Sequence, residues 1–279
     1  MNLARLISLC ALAMCFFAAN SLLTRAALAD NSIGAGLFGL YRLIAGAVTL
    51  AVLVKLRGGA LDLFRTRHIL SVLALFSYMV GFSLAYLWLG AGVGALILFA
   101  GVQITMFAGA LRGGEAVPLM RWVGMGVALS GLAVLYLPGA EQPPLAGVGF
   151  MMIAAVGWGI YSLCGRGSST PLASTAANFI WASGLMAVIP WALFDPTPST
   201  LYGVVLAVIA GSLASGVGYS IWYLVLPHLR ATRASVVQLS APILALIGGA
   251  AFLGEPLSPT AVLAAVLVVG GVMVSLRAT

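Results

Sequence analysis

The chain has 279 residues, of which 62% are hydrophobic and 7% charged, with a mean hydropathy of +1.15 and a formal charge of +7. Soluble globular chains carry roughly 25% charged residues, so this composition excludes a soluble domain. The basic excess sits in short loops without interleaved exposed aromatics, which argues against a nucleic-acid surface and for a membrane orientation signal.

Apolar runs of about 20 residues, each able to cross a hydrocarbon core of roughly 30 Å, fill nearly the whole length. Breaks at charged or Gly/Pro-rich joints predict ten transmembrane helices at 4–28, 33–55, 68–89, 92–111, 119–138, 145–166, 172–194, 201–226, 232–253 and 258–276. The first opens with Arg5 and ends on Ala27-Leu28-Ala29 before Asp30, the outline of a secretory signal with its cleavage site. Its apolar run from Leu6 to Leu23 is longer than a usual signal core. Moreover, Ser21-Leu22 followed by Arg25 recurs as Ser162-Leu163 followed by Arg166. A retained helix is expected. The clearest stops are Pro138-Gly139, Pro143-Pro144 and Asp195-Pro196-Thr197-Pro198, and Ser258-Pro259 reads as an N-cap followed by proline at the first helical position. Cys10, Cys15 and Cys164 are odd in number, lie in apolar segments and form no CxxC pair, so neither a disulfide framework nor a zinc site is expected.

The stretch around Gly114-Glu115 returns around Gly254-Glu255. Gly109, Ala110, Gly131 and Val134 fall on Gly249, Ala250, Gly271 and Val274 without gaps. A duplicated unit with an odd number of spans must enter the membrane upside-down the second time, a geometry that belongs to carriers with a shared midplane site. Orientation follows from the cationic loops. With the N-terminus inside, Arg5, Lys55, Arg57, Arg65, Arg67, Arg112, Arg121, Arg166, Arg230, Arg233 and Arg277 are all cytoplasmic, and only Arg25 falls outside, near Asp30. Both termini are expected inside, Glu115 on the cytoplasmic face and Glu255 on the outer face. The fold expected is all-α: ten transmembrane helices as two inverted five-helix repeats, 1–140 and 141–279, around a central cavity in one membrane unit.

Ten spans, two five-helix halves, the paired Gly-Glu joints and Arg42 followed by Ala45 in span two together resemble the drug/metabolite transporter superfamily, EamA type, over essentially the whole chain. The resemblance implies a multi-pass protein of the bacterial inner membrane that exports small metabolites, with a branch that exports aromatic and other amino acids and others that export drugs. The family often has a proline midway along both equivalent helices. Here Pro242 interrupts span nine, while its counterpart is Val102 beside Gly101, so unequal bending of the two halves is expected.

Polar and aromatic groups near mid-span are the candidate lining of the cavity: Asn20, Tyr78, Phe82, Phe99, Gln103, Trp158, Gln238 and Ser240. Pro242 frees the carbonyl of Gln238, and backbone groups freed in this way must be satisfied by a cavity, water or neighbouring side chains. The bland reading is that Gln238 and Ser240 merely satisfy that break or bond across helices. Arg42 lies about 12 Å below the outer end of span two at 1.5 Å per residue. It must therefore face protein or water. It reads either as a contact for a substrate carboxylate or, preferred because the resemblance places an arginine here across varied substrates, as a fork on backbone carbonyls between spans one and two. Glu115 and Glu255 read first as caps for the following helix, with gating as the alternative. For Trp222 and Tyr223 an interfacial belt and a substrate pocket, shared with Tyr219, are equally good readings. Gly124 with Ala128, and Gly271 with Ser275, suit helix packing within the chain or a dimer face.

No carboxylate lies mid-span, His68 and His228 sit at helix ends, and no phosphate-binding GxxxxGK[ST] occurs. The expected mechanism is alternating access driven by the substrate gradient, without cofactor or metal, bending at Gly81, Gly101, Gly109, Gly211, Gly216, Gly218 and Pro242. The expected partners are a small-molecule substrate and the lipid bilayer, with the chain a monomer or homodimer. A multidrug exporter of the same fold is the nearest rival, weakened by the lack of a buried carboxylate for a cationic drug. An integral-membrane transferase lacks clustered acids, bases or ligands, and a channel lacks rings of repeated polar residues.

Overall fold

The structure is a computed structural model that describes residues 2–61, 63–64, 69–114, 118–136, 142–165, 170–191, 195–225, 228–229 and 237–276. Among these residues the regular structure is helical, and the chain runs through ten main helices: α1 (Leu3–Ala29), α2 (Ala35–Leu56), α3 (Ile69–Ala85), α4 (Ala91–Arg112), α5 (Leu119–Val134), α6 (Leu145–Gly165), α7 (Pro171–Ala187), α8 (Leu201–Val225), α9 (Ser240–Leu253) and α10 (Pro259–Leu276). Five of them, α1, α2, α4, α6 and α8, are long and apolar enough to cross a bilayer on that criterion alone. Exposed Val48, Val266 and Phe252 are among the many large apolar side chains on the outside, which suits a surface bathed in lipid rather than water.

The joints use the chemistry their residues dictate. Ser258 Oγ accepts from the Ala261 N–H at 3.1 Å and Pro259 opens α10, as the sequence indicated. Thr200 Oγ1 caps α8 in the same way through the Gly203 N–H at 3.1 Å. Gly114 and Gly254, the matched glycines of the repeat, both take left-handed backbone (φ +75° and +65°), where a Cβ would be strained. Glu115 lies outside the described residues, so its expected role has no structural counterpart here. Asp195, in the α7–α8 loop, accepts from the Ala35 N–H at 2.9 Å and so caps α2 from a distance. Burial of this carboxylate works against its charge. Hydrogen bonds from Thr197 and Ala35 outweigh that and hold its carboxyl below the usual carboxylate value.

Helix packing repeats when each helix is exchanged for the one five places on. The pairs α2–α7, α4–α9 and α5–α10 map onto themselves, α3–α6 maps onto α8–α1, α4–α6 onto α9–α1, and α2–α8 onto α7–α3; all of them pack extensively. The two units are also opposed in direction. Arg25, near the end of α1, reaches the Tyr86 carbonyl beyond the end of α3, and the start of α6 meets that same joint, where Trp88 stacks on Phe150. α1 therefore ends on the face where α6 begins. Likewise Glu255, beyond the end of α9, bonds to Ala91 at the start of α4. Gly114 then lies a full helix away, about 33 Å for 22 residues. The repeat is inverted.

The α5–α10 contact resolves the small-residue motif. A Cβ on Gly271 would strike the backbone of Ala128 and Gly124, so these residues bring two helices of the same chain together. Glu255 is not a cap for its own following helix: both of its oxygens accept from the Ala91 N–H (3.0 and 2.8 Å), and Oε1 pairs with Arg25 Nε at 3.3 Å. That ion pair accounts for the one arginine whose position runs against the loop-charge rule.

Candidate functional site

Four helices deliver the polar centre of the molecule. Arg42 of α2 is completely buried, and its Nε donates to Ser215 Oγ (3.2 Å) while one terminal nitrogen donates to the Tyr78 hydroxyl (3.1 Å). Its guanidinium carbon stands 4.8 Å from the centroid of Phe82 and 5.6 Å from that of Tyr78, so two ring faces share the charge. The other terminal nitrogen has no partner among the described residues. The expected fork on backbone carbonyls is thus replaced by a fork on side chains of α3 and α8, because the guanidinium points across the bundle instead of along α1.

Ser215 is available because α8 changes gauge. Residues Ala210–Val217 are π-helical, a widened turn of a type that recurs at functional sites. Gly211 within it lies against the Arg42 carbonyl so closely that any Cβ would collide. α2 and α8 are thereby pressed together at the level of the arginine. Ser215 in turn donates to Asn20 Oδ1 at 3.1 Å. One guanidinium so orients two further donors: Tyr78, whose oxygen accepts from Arg42 and whose proton remains, and Asn20, whose carbonyl is engaged and whose NH2 remains. Linked hydrogen bonds polarise one another in a low-dielectric interior.

Both groups line a cavity whose other walls are Phe17, Ser21, Phe82, Phe99, Trp158 and Tyr219, with Leu98. Its rings touch in sequence: Tyr78 with Phe82 (5.2 Å between centroids), Tyr78 with Trp158 (5.0 Å), Trp158 with Tyr219 (5.2 Å) and Tyr219 with Phe17 (5.7 Å). The site is an aromatic slot with a donor-rich end backed by a positive charge. Such an end attracts an anion, and such walls take an apolar or aromatic body.

The structure therefore gathers Asn20, Tyr78, Phe82, Phe99 and Trp158 around one cavity, with Arg42 immediately behind them. It does not bring Gln103, Gln238 or Ser240 to it. Gln103 is half-buried one turn beyond Phe99 on α4. Ser240 Oγ donates to the Val237 carbonyl, the local bond that competes with a ligand role. The helical path breaks at Leu239, three residues before Pro242, which cannot donate to the Gln238 carbonyl; Pro242 itself is buried at the start of α9 rather than midway along it. Gly101 and Gly218 are sites of close packing, where a Cβ would press on Ala155 and Phe16. Trp222 and Tyr223 form no interfacial belt: Trp222 is buried beside Phe17 (5.9 Å), and Tyr223 faces a second internal cavity. Phe17, Ser21 and Ser215 were missed. Phe17 and Ser21 are a helical turn apart, on the side that holds Asn20, and Ser215 is a turn before Tyr219, so the signal available was neighbourhood by helical spacing.

Comparisons with known proteins follow the same line. The profile described as the EamA-like transporter family matches residues 145–277, the second repeat. The chain is 44% identical over 268 residues to an uncharacterised protein of Pseudomonas aeruginosa, covering 96% of this chain and 93% of that one. It is 25% identical over 201 residues to a Salmonella typhimurium protein named "Probable amino-acid metabolite efflux pump", covering 66% of this chain and 67% of that one. A solved crystal structure shares the fold over 99% of this chain and 98% of its own, with a TM-score of 0.72 at 18% identity. With its ten opposed helices, its duplicated Gly-Glu joints and these relatives, the chain belongs to the EamA-like transporter family of the drug/metabolite transporter superfamily.

Proposed function

We propose that this transporter exports amino acids with aromatic or other apolar side chains across the bacterial inner membrane by alternating access, with both termini cytoplasmic and the Glu255 face outside. The observation that carries the reading is the buried Arg42, which has only neutral hydrogen-bond partners and sets the Tyr78 and Asn20 donors at one end of a ring-lined cavity. A carboxylate suits the donor end, and an apolar side chain suits the rings. The name of the Salmonella relative points the same way. A cationic drug would instead meet the field of a buried guanidinium without a facing carboxylate. The units 1–140 and 141–279 would rock about this slot, and the substrate's own gradient would drive net flux.

Counterflow in proteoliposomes tests this directly. Vesicles preloaded with phenylalanine should accumulate labelled phenylalanine and be competed by tryptophan and leucine, without an imposed pH gradient. Competition by cationic dyes alone would transfer the chain to the drug exporters. An absolute requirement for a proton gradient would remove the uncoupled mechanism while leaving the cargo.

A further inference from the structure

A second cavity lies at the end of the molecule away from Glu255, where α3 and α7 begin and α6 and α8 end. Its walls include Ser71, Tyr161, Cys164, Thr175, Asn178 and Tyr223. α3, α6 and α8 line both cavities: Trp158 and Tyr161 stand one turn apart on α6, and Tyr219 and Tyr223 one turn apart on α8. The Trp158 ring lies 5.6 Å from Tyr161 and 5.2 Å from Tyr219, so these rings form the partition between the two spaces.

Where the first cavity offers unspent donors, the second contains an unspent acceptor among its hydroxyls. Asn178 is 5% exposed, its side chain is within hydrogen-bonding reach of the Tyr161 hydroxyl, and its Oδ1 has no partner among the described residues. Thr175 Oγ1 spends its proton on the Pro171 carbonyl at 2.8 Å, and its oxygen is within hydrogen-bonding reach of the Tyr161 and Tyr223 hydroxyls. The last carbonyls of α6 end at Gly165 beside the cavity and favour positive charge, and α7, which opens there, has one N–H fewer to oppose it because Pro171 stands at its start. A buried acceptor without a donor is costly, and a ligand N–H relieves it.

We propose that this cavity is a second ligand station that takes a primary ammonium group, with Asn178 Oδ1 accepting its proton and the Tyr161 and Tyr223 rings flanking it. If the amino-acid reading of the central slot holds, on which the identity of the cargo rests, the same molecule is met first by its amino end here. It then passes the Trp158–Tyr219 partition to be held by its carboxylate beside Tyr78 and Asn20.

Cys164 supplies the reporter. In the full chain with Cys10→Ala and Cys15→Ala it is the remaining thiol, and its alkylation by a small maleimide is followed in detergent. Phenethylamine, which lacks a carboxylate, should slow the reaction several-fold, whereas 3-phenylpropionate, which lacks the amine, should leave the rate unchanged. Asn178→Leu should abolish the protection, and Asn178→Asp, which keeps the acceptor, should preserve or increase it. Equilibrium binding of labelled phenethylamine to the unlabelled protein and to both variants gives the same comparison without a thiol. Absence of phenethylamine binding, equal protection by 3-phenylpropionate, or protection surviving Asn178→Leu overturns the station. Phenylalanine counterflow distinguishes the two ideas: its absence alongside phenethylamine protection removes the cargo reading and leaves the amine site.

Discussion

Replacing Arg42 with methionine keeps a long side chain in the same space and deletes the charge. The guanidinium makes two charge-assisted hydrogen bonds, to Ser215 and Tyr78, and these orient the donors that face the slot. The variant should cost a bound carboxylate about one such bond. Hydrogen bonds to charged groups contribute about 1.5–3 kcal/mol, which converts to a loss of roughly 10- to 150-fold in affinity. Stability should move much less. Removing a buried cation relieves desolvation while leaving two hydroxyls to re-pair, and these terms are opposed and of similar size. The assay is equilibrium binding of labelled phenylalanine and phenethylamine to the purified protein, with a thermal melt of both forms. Phenylalanine affinity should fall by the stated factor and phenethylamine affinity should hold within a few-fold. Equal losses for both ligands would show that Arg42 only maintains the bundle, and no loss for phenylalanine would refute the relay through Tyr78 and Asn20.

Asp195→Asn removes a charged cap from the start of α2 and should lower stability by about 1 kcal/mol at neutral pH. Because the folded carboxyl lies below its usual value, its contribution is fully present above about pH 4 and fades as pH falls through the folded value, so melts of the two forms should converge in acid. Gly211→Ala must push α8 off the Arg42 carbonyl, and overpacking of this kind costs about 1–3 kcal/mol, visible as a lower melting temperature. Glu255→Gln weakens both the Ala91 cap and the Arg25 pair; the labelling rate of a cysteine placed at the buried Leu89 should rise several-fold with a membrane-impermeant maleimide, and an unchanged rate would show that Glu255 does not hold this face closed.

The architecture was legible because lipid imposes it. Runs such as Leu6–Leu23 have to be helical, and the recurrence of Gly-Glu after an odd number of spans forces inversion. Depth along a helix also found much of the slot, since Tyr78 and Phe82 are both mid-span and four residues apart on one face. Depth does not reveal azimuth, however. Gln103 shares α4 with Phe99, and Gln238 precedes the break at Leu239; neither is among the residues that line the slot. Trp222 and Tyr223 lie at a height that suits an interface or a pocket equally, and α1 and α7 cover them. Ser215 was hidden for a different reason. Its direction depends on a π-helical stretch among small residues, and no periodicity in GSLASGVGYS announces a widened turn.

The lone arginine has a consequence for how a load travels. The duplication places Ala182 or Ser183 of α7 where α2 carries Arg42, according to whether the register of Gly114 and Gly254 or that of Ser21 and Ser162 is followed, so one unit is charged and its twin is not. Once docked there, a passenger with a negative head would stay moored to the same wall while its greasy tail swings toward the other exit. Machinery of near two-fold symmetry would then release a polar object without turning it around.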